Sequence, residues 1–258
     1  MNAILTLIAT LFVAEISNDP ETTPKAKARE KLRLEVLSFP KEIHSKLENL
    51  GRQALLYHPT EAPKGKTPLV ILLHGAGGTK RDVLSYRWRG DIHRFVERAG
   101  DRHVARVLVP QSRGHWSPTA LNTLLDHVLK LHPSIDANRV YCIGYSMGGK
   151  GTWDWALLSP TRFAAIVPIA FIPKTEGIEK LRKLPIWAFA GTRDRRRART
   201  VRAMTEKLKK LGADQLRSTI YDGVNHAKTD DKAWEEKDLF QWLFAQYRKP
   251  VPEPAPDK

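Results

Sequence analysis

A mostly parallel β-sheet with helices on both faces is the fold class that this chain of 258 residues predicts. Three observations carry the prediction. Short apolar runs (Leu69–Leu73, Val140–Ile143, Ala164–Ala170 and Ile186–Ala190) alternate with segments whose apolar residues recur at helical spacing. The runs are continuous rather than alternating, as strands buried on both faces of a parallel sheet require. One of them turns sharply through Gly144-Tyr-Ser-Met-Gly148 into a helical segment. An apolar content of 41% with seven Trp points to a globular chain, and the length suits one domain with a large core.

The elements follow in order. Ile4 to Val13 is an apolar run too short to span a bilayer, so 1–16 is expected to be a secretory signal and the protein to be exported. A packed N-terminal segment is the other reading. The polar stretch 17–31, with Pro20 and Pro24, reads as a linker, 32–248 as the folded domain, and 249–258, with four prolines, as a flexible tail. No integral membrane span is expected.

Leu32, Leu34 and Val36 alternate as in a strand, and Ala54 to His58 forms a second. Leu69 to Leu73 runs into the glycine-rich loop His74-Gly-Ala-Gly-Gly78. A helix over Asp91–Ala99 and a strand over Val104–Val109 precede the loop Pro110–Trp116. Leu121, Leu124, Leu125, Val128 and Leu129 mark a helix over 120–131. Asp194 closes the strand that ends near Ala190, and a basic helix runs from it to Leu211. A last strand at Leu216–Tyr221 leads through the loop Asp222–His226 to a terminal helix over Lys232–Gln246. The link between the strands at 164–170 and 185–190 leaves no room for a large lid.

The turn around Ser146 carries the chemistry. A serine held between a strand and a helix needs neighbours without a Cβ, and the amides at the helix start favour a developing oxyanion. Gly144 to Lys150 also matches the start of a phosphate-binding loop, but Gly151 stands where a Ser or Thr must reach Mg²⁺. A serine hydroxyl needs a base within hydrogen-bond reach. Ser146, Asp194 and His226 come in the order nucleophile, acid, base, each after its own strand. Asp222, Asp230 and Asp231 remain alternative acids. His74 is read as bracing its loop, and His115 and Trp116 as lining the substrate cleft. His44, His58, His93, His103, His127 and His132 are read as ordinary surface or half-buried residues.

Cys142 is the only cysteine, which excludes a disulfide framework and any multi-cysteine metal site. The net charge of +15 would suit nucleic acid, an anionic membrane or an acidic substrate. No nucleic-acid motif accompanies it, so a solvated surface is expected, with no specific nucleic-acid partner.

The segments Gly144-Tyr-Ser-Met-Gly-Gly-Lys-Gly-Thr-Trp-Asp154, Ser159-Pro-Thr-Arg-Phe-Ala-Ala165 and Pro185-Ile-Trp-Ala-Phe189 resemble the bacterial predicted peptidase or esterase branch of the α/β-hydrolases. That branch is related to polyhydroxybutyrate depolymerase-like, feruloyl esterase-like and dienelactone hydrolase-like proteins. The likeness runs from about Leu55 to Tyr247. It implies an α/β-hydrolase fold with no large lid domain, Ser146 as nucleophile, Asp194 as acid, His226 as base, and the amides of Ala76 and Met147 as oxyanion hole. The expected chemistry is hydrolysis of carboxylic esters, small or polysaccharide-linked, through an acyl-enzyme, a mechanism that requires no metal or organic cofactor. A serine peptidase of the same fold, and an inactive hydrolase-fold protein binding polyanions, are the other readings. Two departures from the family's pattern stand out. Arg195-Arg-Arg-Ala-Arg199 follows the acid, where Arg195 and Arg196 are candidate substrate contacts, and no glycine precedes His226.

Overall fold

The computed structural model describes residues 30–61, 64–87, 90–99 and 103–248. The signal expected over 1–16, most of the linker and the tail lie outside the described residues. Eight strands form one sheet: β1 (Leu32–Ser38), β2 (Leu50–Pro59), β3 (Thr67–Leu73), β4 (Arg106–Ser112), β5 (Ile135–Tyr145), β6 (Ala165–Ile169), β7 (Ile186–Gly191) and β8 (Leu216–Tyr221). Their spatial order is β1-β2-β4-β3-β5-β6-β7-β8. β3 to β8 are mutually parallel, and β2 pairs antiparallel with both β1 and β4.

The helices are α1 (Lys41–His44), α2 (Asp91–Ala99), α3 (Pro118–Leu131), α4 (Met147–Leu158), α5 (Arg195–Lys210), α6 (His226–Trp234) and α7 (Leu239–Phe244). Successive residues of each central strand serve opposite faces of the sheet. Leu69, Ile71, Val140 and Cys142 pack with the apolar sides of α3, α4 and α5. Val70, Leu72, Tyr141 and Ile143 pack with those of α2, α6 and α7. All seven residues of β3 are buried. Covering both faces explains the continuous apolar runs, and each buried Leu, Val or Ile contributes roughly 1.5–3 kcal/mol over its exposed state.

Two expected boundaries are corrected. β4 continues through Pro110-Gln-Ser112, which the sequence suggested as loop, because β2 pairs along it, Ala54 with Pro110 and Leu50 with Ser112. Pairing with β3 ends at Leu108, so Pro110 lies where β4 has a neighbour on one side only and its missing N–H is tolerated. The terminal helix is two helices. Between them the charged run Glu235-Glu-Lys-Asp238 stays toward solvent, while Trp234, Leu239 and Phe240 are buried in one cluster. Between β6 and β7 the chain makes only a 3₁₀ turn, Ile178–Leu181, with no lid domain. Among the described residues no helix is long and apolar enough to cross a membrane.

Candidate active site

β5 delivers Ser146 into the turn before α4. Its backbone has φ 55° and ψ −110°, a region that a non-glycine residue adopts only under constraint, costing on the order of 1–3 kcal/mol. The constraint is visible. Ser146 N–H donates to the Ile169 carbonyl at the end of β6, 2.8 Å away, and Lys150 N–H bonds back to the Ser146 carbonyl at 2.9 Å. The flanking glycines make the turn possible: a Cβ on Gly148 would lie 1.8 Å from the Leu73 carbonyl oxygen, and one on Gly144 2.3 Å from that of Gly148. Both motif glycines therefore serve close backbone approach.

The partners arrive from β7 and β8. Asp194 follows β7, and its N–H donates to the Gly191 carbonyl at 3.0 Å. The loop after β8 locks against it, with Arg193 N–H donating to the Val224 carbonyl at 3.0 Å. His226 is the first residue of α6, whose N-cap is Asn225; the Asn225 side chain accepts from Lys228 N–H at 2.9 Å. A capping asparagine thus occupies the position where the family's pattern has glycine, and sequence reasoning, which ended the loop at His226, missed this helix start. The signal was present, since Asn directly before a helical segment is a preferred N-cap.

The three side chains meet. His226 Nε2 is 2.9 Å from Ser146 Oγ, and His226 Nδ1 is 2.7 Å from Asp194 Oδ2. An ionised carboxylate only accepts, so Nδ1 carries the proton and Nε2 is left as acceptor for the Ser146 hydroxyl. The other candidate acids are engaged elsewhere. Asp222 accepts from Thr192 Oγ1 at 3.0 Å, and Asp230 and Asp231 both accept from Arg94.

Three neighbours were not anticipated. Arg197 Nη1 lies 3.2 and 3.1 Å from Asp194 Oδ1 and Oδ2. Tyr145 packs its ring 5.1 Å from that of His226 and donates to the His226 carbonyl at 3.4 Å. Burial, then the nearby Asp230 charge, pushes the Tyr145 phenol up to about 12, so it remains a neutral donor. Lys150 pairs with Asp154 one turn along α4.

Ala76 opens a 3₁₀ turn on the loop after β3, and Met147 opens α4. The two segments are adjacent, since a Cβ on the intervening Gly75 would stand 3.1 Å from the Tyr145 ring. His74 holds this loop. Its Nδ1–H donates to the Gly75 carbonyl at 2.8 Å, and its Nε2 accepts from Ser112 N–H at 3.1 Å. Burial lowers its pKa against the opposing backbone hydrogen bonds, consistent with a neutral ring that donates at one nitrogen and accepts at the other.

The expected substrate contacts divide. His115 is exposed, and so are Arg195 and Arg196 at the start of α5. Trp116, read as lining the cleft, is only 4% exposed and offers little surface to a substrate. Its Nε1 donates to the His74 carbonyl at 3.0 Å and its side chain packs over Gly151, so it supports the loop and α4 from behind.

Solved structures with this architecture include a thermostable esterase, 25% identical with a TM-score of 0.66; the match covers 85% of this chain and 64% of that one. This chain therefore spans less than two thirds of that esterase. A dienelactone hydrolase from Klebsiella pneumoniae subsp. pneumoniae MGH 78578 is 21% identical with a TM-score of 0.58, over 84% of this chain and 99% of that one. An acylaminoacyl peptidase is 15% identical with a TM-score of 0.58, over 80% of this chain and 40% of that one. The last two likenesses are of fold alone. A family model described as alpha/beta hydrolase family matches residues 70–256, most of the chain and all three residues of the hydrogen-bonded set. The chain belongs to the α/β hydrolase family.

Proposed function

We propose that this protein is a serine hydrolase that cleaves carboxylic esters through an acyl-enzyme on Ser146. The observation that carries the reading is the continuous hydrogen-bond path from Ser146 Oγ through both ring nitrogens of His226 to Asp194 Oδ2. His226 Nε2 takes the hydroxyl proton as Oγ attacks the ester carbonyl, and Asp194 fixes the tautomer and stabilises the imidazolium. The amides of Met147, at the start of α4, and Ala76, on the loop braced by His74, are the assigned donors to the tetrahedral oxyanion. His226 then protonates the leaving alkoxide, and water repeats the sequence to free the acid. The absence of a lid between β6 and β7 suits a substrate that enters from open solvent.

The test compares wild type with Ser146→Ala on a short-chain aryl ester and on the amide of the same acyl group, with fluorophosphonate labelling in parallel. Wild type is expected to turn over the ester and label at Ser146, and the variant to lose at least about 10⁴-fold while staying folded. Unlabelled, inactive wild type, or an active Ser146→Ala, overturns the proposal. An amide cleaved as fast as the ester moves the reading to a peptidase.

A further inference from the structure

Three side chains far apart in sequence meet at the end of the sheet opposite Ser146. Glu35 lies on β1, His58 on β2, and His132 caps the C-terminus of α3. Arg106, the first residue of the parallel strand β4, neighbours them, whereas Ser146, Asp194 and His226 follow the C-terminal ends of β5, β7 and β8. The sequence reading expected no metal and took both histidines as ordinary residues, because nothing in their spacing joins 35, 58 and 132. Glu35 and His58 are buried, and one donor atom from each of the three groups lies within 4.8 Å of the others.

We propose that Glu35, His58 and His132 form a binding site for a divalent transition metal of the zinc type, which would tie the β1–β2 hairpin to α3. Two imidazoles and one carboxylate are a donor set that zinc accepts, and three protein ligands leave its fourth position to solvent. With zinc–ligand bonds of about 2.0–2.2 Å, tetrahedral donors stand roughly 3.3 Å apart. Glu35 Oε2 is 2.6 Å from His58 Nε2 and 3.7 Å from His132 Nε2, each within about 1 Å of that spacing, and all three donor atoms lie within 4.8 Å of one another. The His132 Nε2 atom is buried with no hydrogen-bond partner among the described residues. That is an odd end for a polar atom unless something is meant to meet it.

The charges of Arg33 and Arg106 reach Glu35 and repel a cation, which makes the site weaker than a closed four-ligand one.

The test is titration of the full, tag-free, chelator-treated protein with Zn²⁺, read by calorimetry and thermal melting, and with Co²⁺, read by its visible absorption. One Zn²⁺ per chain is expected, with Tm rising on the order of 5 °C at saturation. His132→Ala is expected to abolish the rise and the Co²⁺ band. It removes a nitrogen with no hydrogen-bond partner among the described residues, so it is expected to fold; His132→Gln serves if it does not. His44→Ala, away from the cluster, is expected to keep both signals. Wild type that binds no Zn²⁺, or a His132 variant that binds it as wild type does, overturns the site and leaves a buried Glu35–His58 pair with a histidine beside it.

Discussion

Arg197 holds the carboxylate of Asp194, with Nη1 3.2 and 3.1 Å from its two oxygens while Oδ2 also accepts from His226 at 2.7 Å. The guanidinium fixes the carboxylate's rotation, and with it the imidazole that the carboxylate orients. Arg197→Gln is expected to lower kcat on the order of tenfold by loosening Asp194, with KM little changed. Arg197→Lys is expected to recover part of the rate, since an ammonium can replace a contact made through one nitrogen. Rates of the two variants and wild type decide it; if Arg197→Gln turns over as wild type does, Arg197 is surface charge.

What the sequence revealed and what it hid have physical reasons. Leu69 to Leu73 and Val140 to Ile143 feed both faces of the sheet, so burial wrote itself as unbroken apolar runs. Gly144, Ser146 and Gly148 were legible because backbone approach within 2.5 Å of a virtual Cβ leaves glycine alone acceptable at the two flanking positions. The extension of β4 through Pro110 was hidden because it depends on a partner strand distant in sequence, β2. Arg197 was read only as one of the five arginines from 193 to 199, although its i,i+3 spacing from Asp194 on a helix start could have paired them. The Glu35–His58–His132 cluster had no local signal at all.

Gly148→Ala tests the elbow. The added Cβ would stand 1.8 Å from the Leu73 carbonyl oxygen and 2.9 Å from that of His74, both backbone atoms that yield only if β3 and α4 separate. Overpacking of this kind destabilises by about 1–3 kcal/mol, and moving the amides at the start of α4 is expected to lower kcat on the order of 100-fold. Gly77→Ala, in the loop after β3, meets nothing within 4 Å and is expected to melt within about 0.5 kcal/mol of wild type. Equal melting and equal rates for the two variants would sink the close-approach account.

Asp91 gives a stability prediction with a defined pH window. Burial, and then the Asp230 charge, raises its pKa from 3.8 to about 7 against the pull of Arg94. The folded state therefore binds this proton more tightly than the unfolded one, so stability falls as pH rises from about 4 and the loss is complete above about 7. Asp91→Asn removes the charge that is disfavoured at neutral pH. It is expected to raise stability by on the order of 1 kcal/mol at pH 8 and to change it little at pH 4. Melting curves at the two pH values check it; a variant destabilised at pH 8 would show that the Arg94 contact outweighs burial.

Arg195 and Arg196 remain as exposed cations at the start of α5, next to Asp194. Cations there oppose the helix macrodipole, typically by 0.3–1 kcal/mol each, so helix stability does not explain their position. One testable role for them is attraction of a negatively charged ester. Reversal to Arg195→Glu/Arg196→Glu is expected to lower kcat/KM for anionic esters several-fold at low ionic strength and to leave neutral esters of equal size unchanged. The difference should fade toward physiological salt, where screening acts within about 8 Å. Arg197 is left intact in this variant, because losing its contact with Asp194 would lower the rate on every substrate. The two glutamates suit a helix N-terminus, so the variant should melt no lower than wild type, and lost activity is then not lost fold. Equal losses on anionic and neutral esters would locate the damage at Asp194; no loss on either would end the anionic-substrate reading.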